Sequence, residues 1–263
     1  MMIDNLIAVM KRDLISAVRY RSGFVFTFGA LAVQFATFYY LARAVGPQFR
    51  PEGMPYFLFL LVGTGFYTFL LTGVHSFLRA IQESQQSGTL EVLLTTSTSA
   101  TMLVTLSAAS AFATGIVQFS AYLAAGIYFF SPSMHASLAG CLVVFALSTV
   151  ITFAIGLFAA GLQISIHRGA AVLWLLGSGA WLMSGTLFPV SALPKAARIA
   201  SYCIPFTHSL DGMRLALFAG NAPGLAREVA VLACFTLALA PTGVWFFSWT
   251  VKQARENGTL SFY

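Results

Sequence analysis

The stretch YFLFLLVGTGFYTFLLTGVHSFL, Tyr56 to Leu78, decides the fold class. It contains no Asp, Glu, Lys or Arg, and the polar residues within it are small or aromatic apart from His75. A bilayer core about 30 Å thick needs roughly 20 such residues in helical form, so this run reads as a membrane span. Similar runs lie on either side, at about Ser22 to Ala42, Met102 to Phe130, Ser137 to Leu162, Ala170 to Phe188 and Glu228 to Val251. The run from Met102 is longer than the bilayer requires and is expected to tilt or project. Together the runs predict an all-α polytopic membrane protein with six transmembrane helices. Composition agrees. Of 263 residues, 58% are hydrophobic and 8% charged, against about a quarter charged in soluble domains.

The segments between the runs give the domain plan. In residues 1–21, Ile3, Leu6, Ile7, Met10, Leu14 and Val18 recur at helical spacing among Lys11, Arg12, Arg19 and Arg21. That pattern predicts an amphipathic helix lying in the membrane interface, with a solvated leader as the alternative. Ala42-Arg43-Ala44 mimics a signal-peptide cleavage site, but the polar leader is too long and the run long enough to span. Residues 22–251 then form the six-span domain, and residues 252–263 a polar cytoplasmic tail. Within the domain, 79–100 is the longest polar stretch of the first half. Residues 189–227 are broken by Pro189, Pro194, Pro205, Gly212, Gly220 and Pro223, which predicts short interfacial or re-entrant helices rather than a span.

Six spans place both termini on one side. Four basic residues precede the first span and two follow it, which puts the termini in the cytoplasm. The net charge of +6 is scattered along membrane flanks, so nucleic acid is not an expected partner. Cys141, Cys203 and Cys234 are far apart and form no metal or redox motif. The span interiors offer Gln34, Gln118, Ser and Thr rather than buried charges. The glutamines read as inter-helix hydrogen-bonding groups, with a substrate path as the alternative. His75 and Arg79 read as a wet helix end. His208 and Asp211, three apart, are the one pair with the makings of a general base, but no nucleophile or metal ligand stands beside them. No GxxxxGK precedes a Ser or Thr, and Lys11, Lys195 and Lys252 are the only lysines. The chain is therefore read as a non-enzyme with no cofactor of its own.

Two motifs carry a family resemblance. The first is Glu83, then Gly88-Thr89-Leu90-Glu91, then Leu93-Leu94. It resembles the cytoplasmic loop of type-2 ABC exporter permeases, which precedes a Ser/Thr-Pro; here Thr98-Ser99-Ala100 takes that place. The second is Ser184-Gly185-Thr186-Leu187-Phe188-Pro189, then Leu193-Pro194, then Pro205, which resembles the family's outer re-entrant segment. The resemblance implies a multi-pass permease of a prokaryotic cell (inner) membrane, paired as a homodimer through spans one and five. It implies a separate ABC ATPase subunit that binds ATP and Mg, with Glu83, Gly88, Thr89, Leu90, Glu91, Leu93 and Leu94 forming the coupling helix. The implied substrate is amphipathic: a lipid-linked saccharide, a glycolipid or a hydrophobic drug. The residues alone leave a secondary carrier and a non-transporting membrane scaffold open. They also say something local. Ser87 or Thr89 can cap a short helix whose first turn holds Glu91, and Leu90, Leu93 and Leu94 make a small apolar face. Packing of that face on the chain's own leader is the alternative to a partner.

Overall fold

The computed structural model describes residues 21–86, 112–113, 115–124, 126, 128, 136–166, 169–218 and 223–257. The leader up to residue 20, most of the third expected span and the tail from 258 lie outside the described residues. The described chain is helical, with no strand among the described residues. Its helices are α1 (Arg21–Val45), α2 (Tyr56–Gln86), α3 (Gly115–Ala124), α4 (Leu138–Ile166), α5 (Gly169–Met183), α6 (Lys195–Tyr202), α7 (Pro205–Phe218) and α8 (Pro223–Asn257). Among the described residues, α2, α4 and α8 are each long and apolar enough to cross a membrane.

Helix α4 is the hub, packing on α2, α7 and α8, while α2 also meets α1, α5 and α7. The core is heavily aromatic because helices of Phe-rich sequence meet along one seam. Phe69 stacks on Phe145 at 4.8 Å, and Phe112 stacks on Phe153 at 4.5 Å. Offset pairs of this kind contribute about 0.5–1.5 kcal/mol beyond their buried area. Small residues let the backbones approach. A Cβ on Gly243 of α8 would lie 2.5 Å from the Ala154 carbonyl oxygen of α4, so the two helices touch there main chain to main chain. Two residues earlier Pro241 sits inside α8, where it leaves one helical carbonyl without its usual donor. The Thr242 hydroxyl donates to the Ala238 carbonyl at 2.9 Å in the same turn.

Apolar side chains also cover the outside. Trp245 and Trp249 of α8, Trp174 and Leu175 of α5, and Tyr39 and Tyr40 of α1 are all exposed. On a membrane protein this is the surface offered to acyl chains or to a second helix bundle.

Several expected boundaries move. The helix expected to end near Leu78 runs on to Gln86, so 79–86 is helix and not loop. Phe77, Ile81 and Gln85 are buried along one stripe at helical spacing, and this packing carries α2 past its apolar run. The fifth helix stops at Met183, short of Phe188. Helix α8 begins at Pro223 rather than Glu228, and so takes in residues expected in the outer segment.

Candidate functional site

Residues 184–218 run from the end of α5 over the first turns of α2, α4 and α8, and the segment begins with an irregular turn. Gly185 has φ of +77°, a left-handed conformation that a side chain would strain. Backbone that leaves a helix near lipid must find other donors for its carbonyls. Here several are met by side chains. Ser201 donates to the Met183 carbonyl at 2.7 Å, Arg214 to Gly185 at 2.8 Å and Tyr56 to Leu187 at 2.9 Å. Arg198 donates to Ser191 and, at 3.1 Å, to Leu193. The Thr186 hydroxyl donates back to Trp181.

The prolines of this segment start helices more than they break them. Pro189 and Pro194 cap the short turn Val190–Ala192 and α6, while Pro205 and Pro223 are the first residues of α7 and α8. Phe188 and Leu193 are half-buried. Phe206 turns inward onto Tyr67, ring edge to face at 5.8 Å. Ile199 and Tyr202 are the exposed large apolar residues of α6.

Arg214 is the centre of the site and a residue that the sequence did not single out. Its side chain is 0% exposed. Nη2 donates to the Phe59 carbonyl at 3.2 Å as well as to Gly185, and Nη1 reaches Asp211 at 3.5 Å. The guanidinium carbon lies 3.5 Å from the Phe59 ring centroid, a close cation–π contact. Gly63 makes this possible. It stands one turn after Phe59, and a Cβ there would collide with Nη2 and lie 2.8 Å from the Thr186 carbonyl oxygen. Burial works against the charge on Arg214, while Asp211 and Glu52 favour it. Burial likewise pushes the Asp211 carboxyl up to about 7, with Arg214 pulling it down.

The expected His208–Asp211 pairing gives way to another. His208 Nδ1 lies 2.6 Å from Oε2 of Glu228 on α8, and Nε2 donates to the Tyr202 carbonyl at 3.0 Å. Asp211 faces Arg214 instead. Ser209 and Ser148 join α7 to α4 hydroxyl to hydroxyl at 2.9 Å.

The opposite end of α2 is polar. Glu83 is exposed on the last turns, and Gln163 of α4 donates to Gln85 at 3.2 Å within the core. Gly88, Thr89, Leu90, Glu91, Leu93 and Leu94 lie outside the described residues. Gln34 makes the inter-helix contact expected of it, accepting from Tyr122 of α3, while Gln118 is half-buried.

The bundle thus has one end closed by a docked, side-chain-braced segment and another end where its most buried helix extends into polar sequence. No curated protein matches the chain in a sequence comparison. A family model, ABC-2 type transporter, matches residues 4–218, from the leader to the end of α7. A match over most of the length, on an all-helical bundle with membrane-spanning helices, makes this chain a member of the ABC-2 type transporter family: a transmembrane permease partnered by an ABC ATPase subunit.

Proposed function

We propose that the chain is the permease of an ATP-driven exporter that moves an amphipathic substrate out of the cytoplasm or the inner leaflet. Lipid-linked saccharides, glycolipids and hydrophobic drugs fit that description. Two copies pair, and two ATPase subunits bind on the cytoplasmic side with their own ATP and Mg. The observation that carries the reading is the segment 184–218, a braced but non-spanning structure over the ends of α2, α4 and α8. Helix α7, at 14 residues, is about 21 Å long, and Arg214 and His208 tie it to the first turns of α2 and α8. Such a segment suits a hydrophobic cap that opens toward the outer leaflet. The exposed aromatic faces of α1 and α5 suit the contact between copies. A carrier driven by ions uses charged groups that are free to exchange partners, whereas Arg214 is held by fixed carbonyls, which favours the ABC reading.

Co-purification tests the assignment. The chain alone is expected to hydrolyse no ATP, and to show substrate-dependent hydrolysis only with the ATPase it captures. Hydrolysis by the pure chain would defeat the proposal.

Topology is tested separately. Six spans with cytoplasmic termini place the tail of α8 inside and α6 outside. In a background lacking Cys141, Cys203 and Cys234, an impermeant thiol reagent added outside is expected to label Lys195→Cys and spare Asn257→Cys. Labelling of both from one side removes the six-span arrangement.

A further inference from the structure

Two of the polar contacts that tie α7 to its neighbours are of opposite character. The Arg214 contact is fully buried, and its main acceptors are the backbone carbonyls of Phe59 and Gly185, which do not titrate. The His208 contact is held by a proton. Its Nε2 faces the Tyr202 carbonyl, which only accepts, so that nitrogen carries hydrogen. Its Nδ1 faces a Glu228 carboxyl oxygen at 2.6 Å, so one proton must lie between the two atoms. A neutral ring has one hydrogen for these two acceptors, so loss of the imidazolium proton leaves a ring lone pair facing either the Glu228 carboxylate or the Tyr202 carbonyl, and one of the two contacts parts.

The rest of the surroundings reinforce this. On its own helix His208 is followed by Asp211 and then Arg214; Glu52, in the turn Pro51–Gly53, acts electrostatically on both. From α8 come Glu228 and the Phe235 ring at 5.8 Å, and from α6 the Tyr202 ring at 6.0 Å. Helix α2 places Tyr67 against the neighbouring Phe206, and α4 places Ser148 against Ser209. Glu228 and Asp211 both favour a proton on His208.

We propose that His208, bridging Glu228 of α8 and the Tyr202 carbonyl of α6, forms a proton-dependent clasp on α7, with Arg214 as the fixed pin about which α7 moves when the clasp loosens. His208 and Glu228 are positioning residues for the cap. Burial alone would disfavour the imidazolium; the Glu228 and Tyr202 hydrogen bonds outweigh it, and the His208 pKa stands above its ordinary 6.5. The sign follows. The clasp holds both contacts below 6.5 and loses one of them as pH rises through the raised value. Alkalinity on that face of the membrane therefore loosens α7.

The clasp rests on the cap reading only for its effect on export, and the test separates the two. Cys203 is exposed between α6 and α7, next to the carbonyl that receives His208. A nitroxide label there, in the full chain with Cys141→Ala and Cys234→Ala in phospholipid nanodiscs, reports the mobility of the junction. Between about pH 5.5 and about 9 the label is expected to loosen sigmoidally, with a midpoint above the ordinary histidine value. His208→Gln is expected to give a flat response. Glu228→Gln removes the charge but keeps the shape, and is expected to lower the midpoint by about one pH unit. If His208→Gln does not fold, the Glu228→Gln midpoint decides. A flat response in the unsubstituted protein, or an unchanged midpoint in Glu228→Gln, overturns the clasp whatever export does. A sigmoidal response lost in the variants, with export by the co-purified ATPase complex unaltered, upholds the clasp and removes the cap reading.

Discussion

Replacing Arg214 by Leu is expected to destabilise the folded permease by about 3–5 kcal/mol, the range for removing one partner from a buried ionic contact. The cause is the company left behind. The Gly185 carbonyl loses its donor inside the bundle, the Phe59 carbonyl loses its second one, and Asp211 loses its cation. Lysine does not restore the site, because one ammonium lacks the planar fork whose Nη2 meets two carbonyls and whose Nη1 meets Asp211 while the plane lies on the Phe59 ring. Gly63→Val approaches the same end from the other side, since its side chain would occupy the guanidinium's place. The measurement is the thermal midpoint of the purified protein by tryptophan fluorescence. An Arg214→Leu variant as stable as the parent means that the contacts at Arg214 are not holding the segment.

The second large effect lies at the other end. Replacing Leu90 and Leu94 together by Ala is expected to weaken ATPase association on the order of thirtyfold or more, from about 1–3 kcal/mol for each truncated anchor. Export falls with it, and Glu91→Lys acts in the same direction by reversing a charge offered to basic groups of the partner. The motive is a short capped sequence with an apolar edge, directly following a helix that extends past its apolar run as far as Gln86. Each variant is assayed by co-purification of the ATPase and by export in cells. Association and export at parental levels in the double variant would mean that the leucines pack only on their own chain.

The spanning helices α2, α4 and α8 were legible because they depend on one local quantity, apolar length. The end of α2 was misread for the same reason. Apolar content stops at Leu78, but Ile81 and Gln85 continue the buried stripe of Phe77, so a reading by spacing would have reached Gln86. The irregular segment was legible through its prolines. Its polar site was not. Arg214 finds its acceptors 155 and 29 residues away, and both are main-chain oxygens, which leave no mark in residue identity. His208 finds Glu228 20 residues on, across the junction of two helices, whereas spacing within one helix pointed to Asp211. Gly63 looked like one more small residue in a span. Its role emerges only when the guanidinium is placed beside it.

Helix α2 has a mechanical consequence. At 31 residues it is about 46 Å long, roughly half as long again as the hydrocarbon layer, and it has no proline inside it. Near its first turn the Phe59 carbonyl receives Arg214; at its last turn stands Gln85, bonded to α4. The two ends of the molecule are thus joined by a single push rod stiffened by main-chain hydrogen bonds. Thrust applied at one end arrives at the other without passing through a chain of side-chain rearrangements. The stroke is set by covalent geometry rather than by the lipid, so a thicker or thinner membrane changes how much of the rod is wet and not how far its ends stand apart.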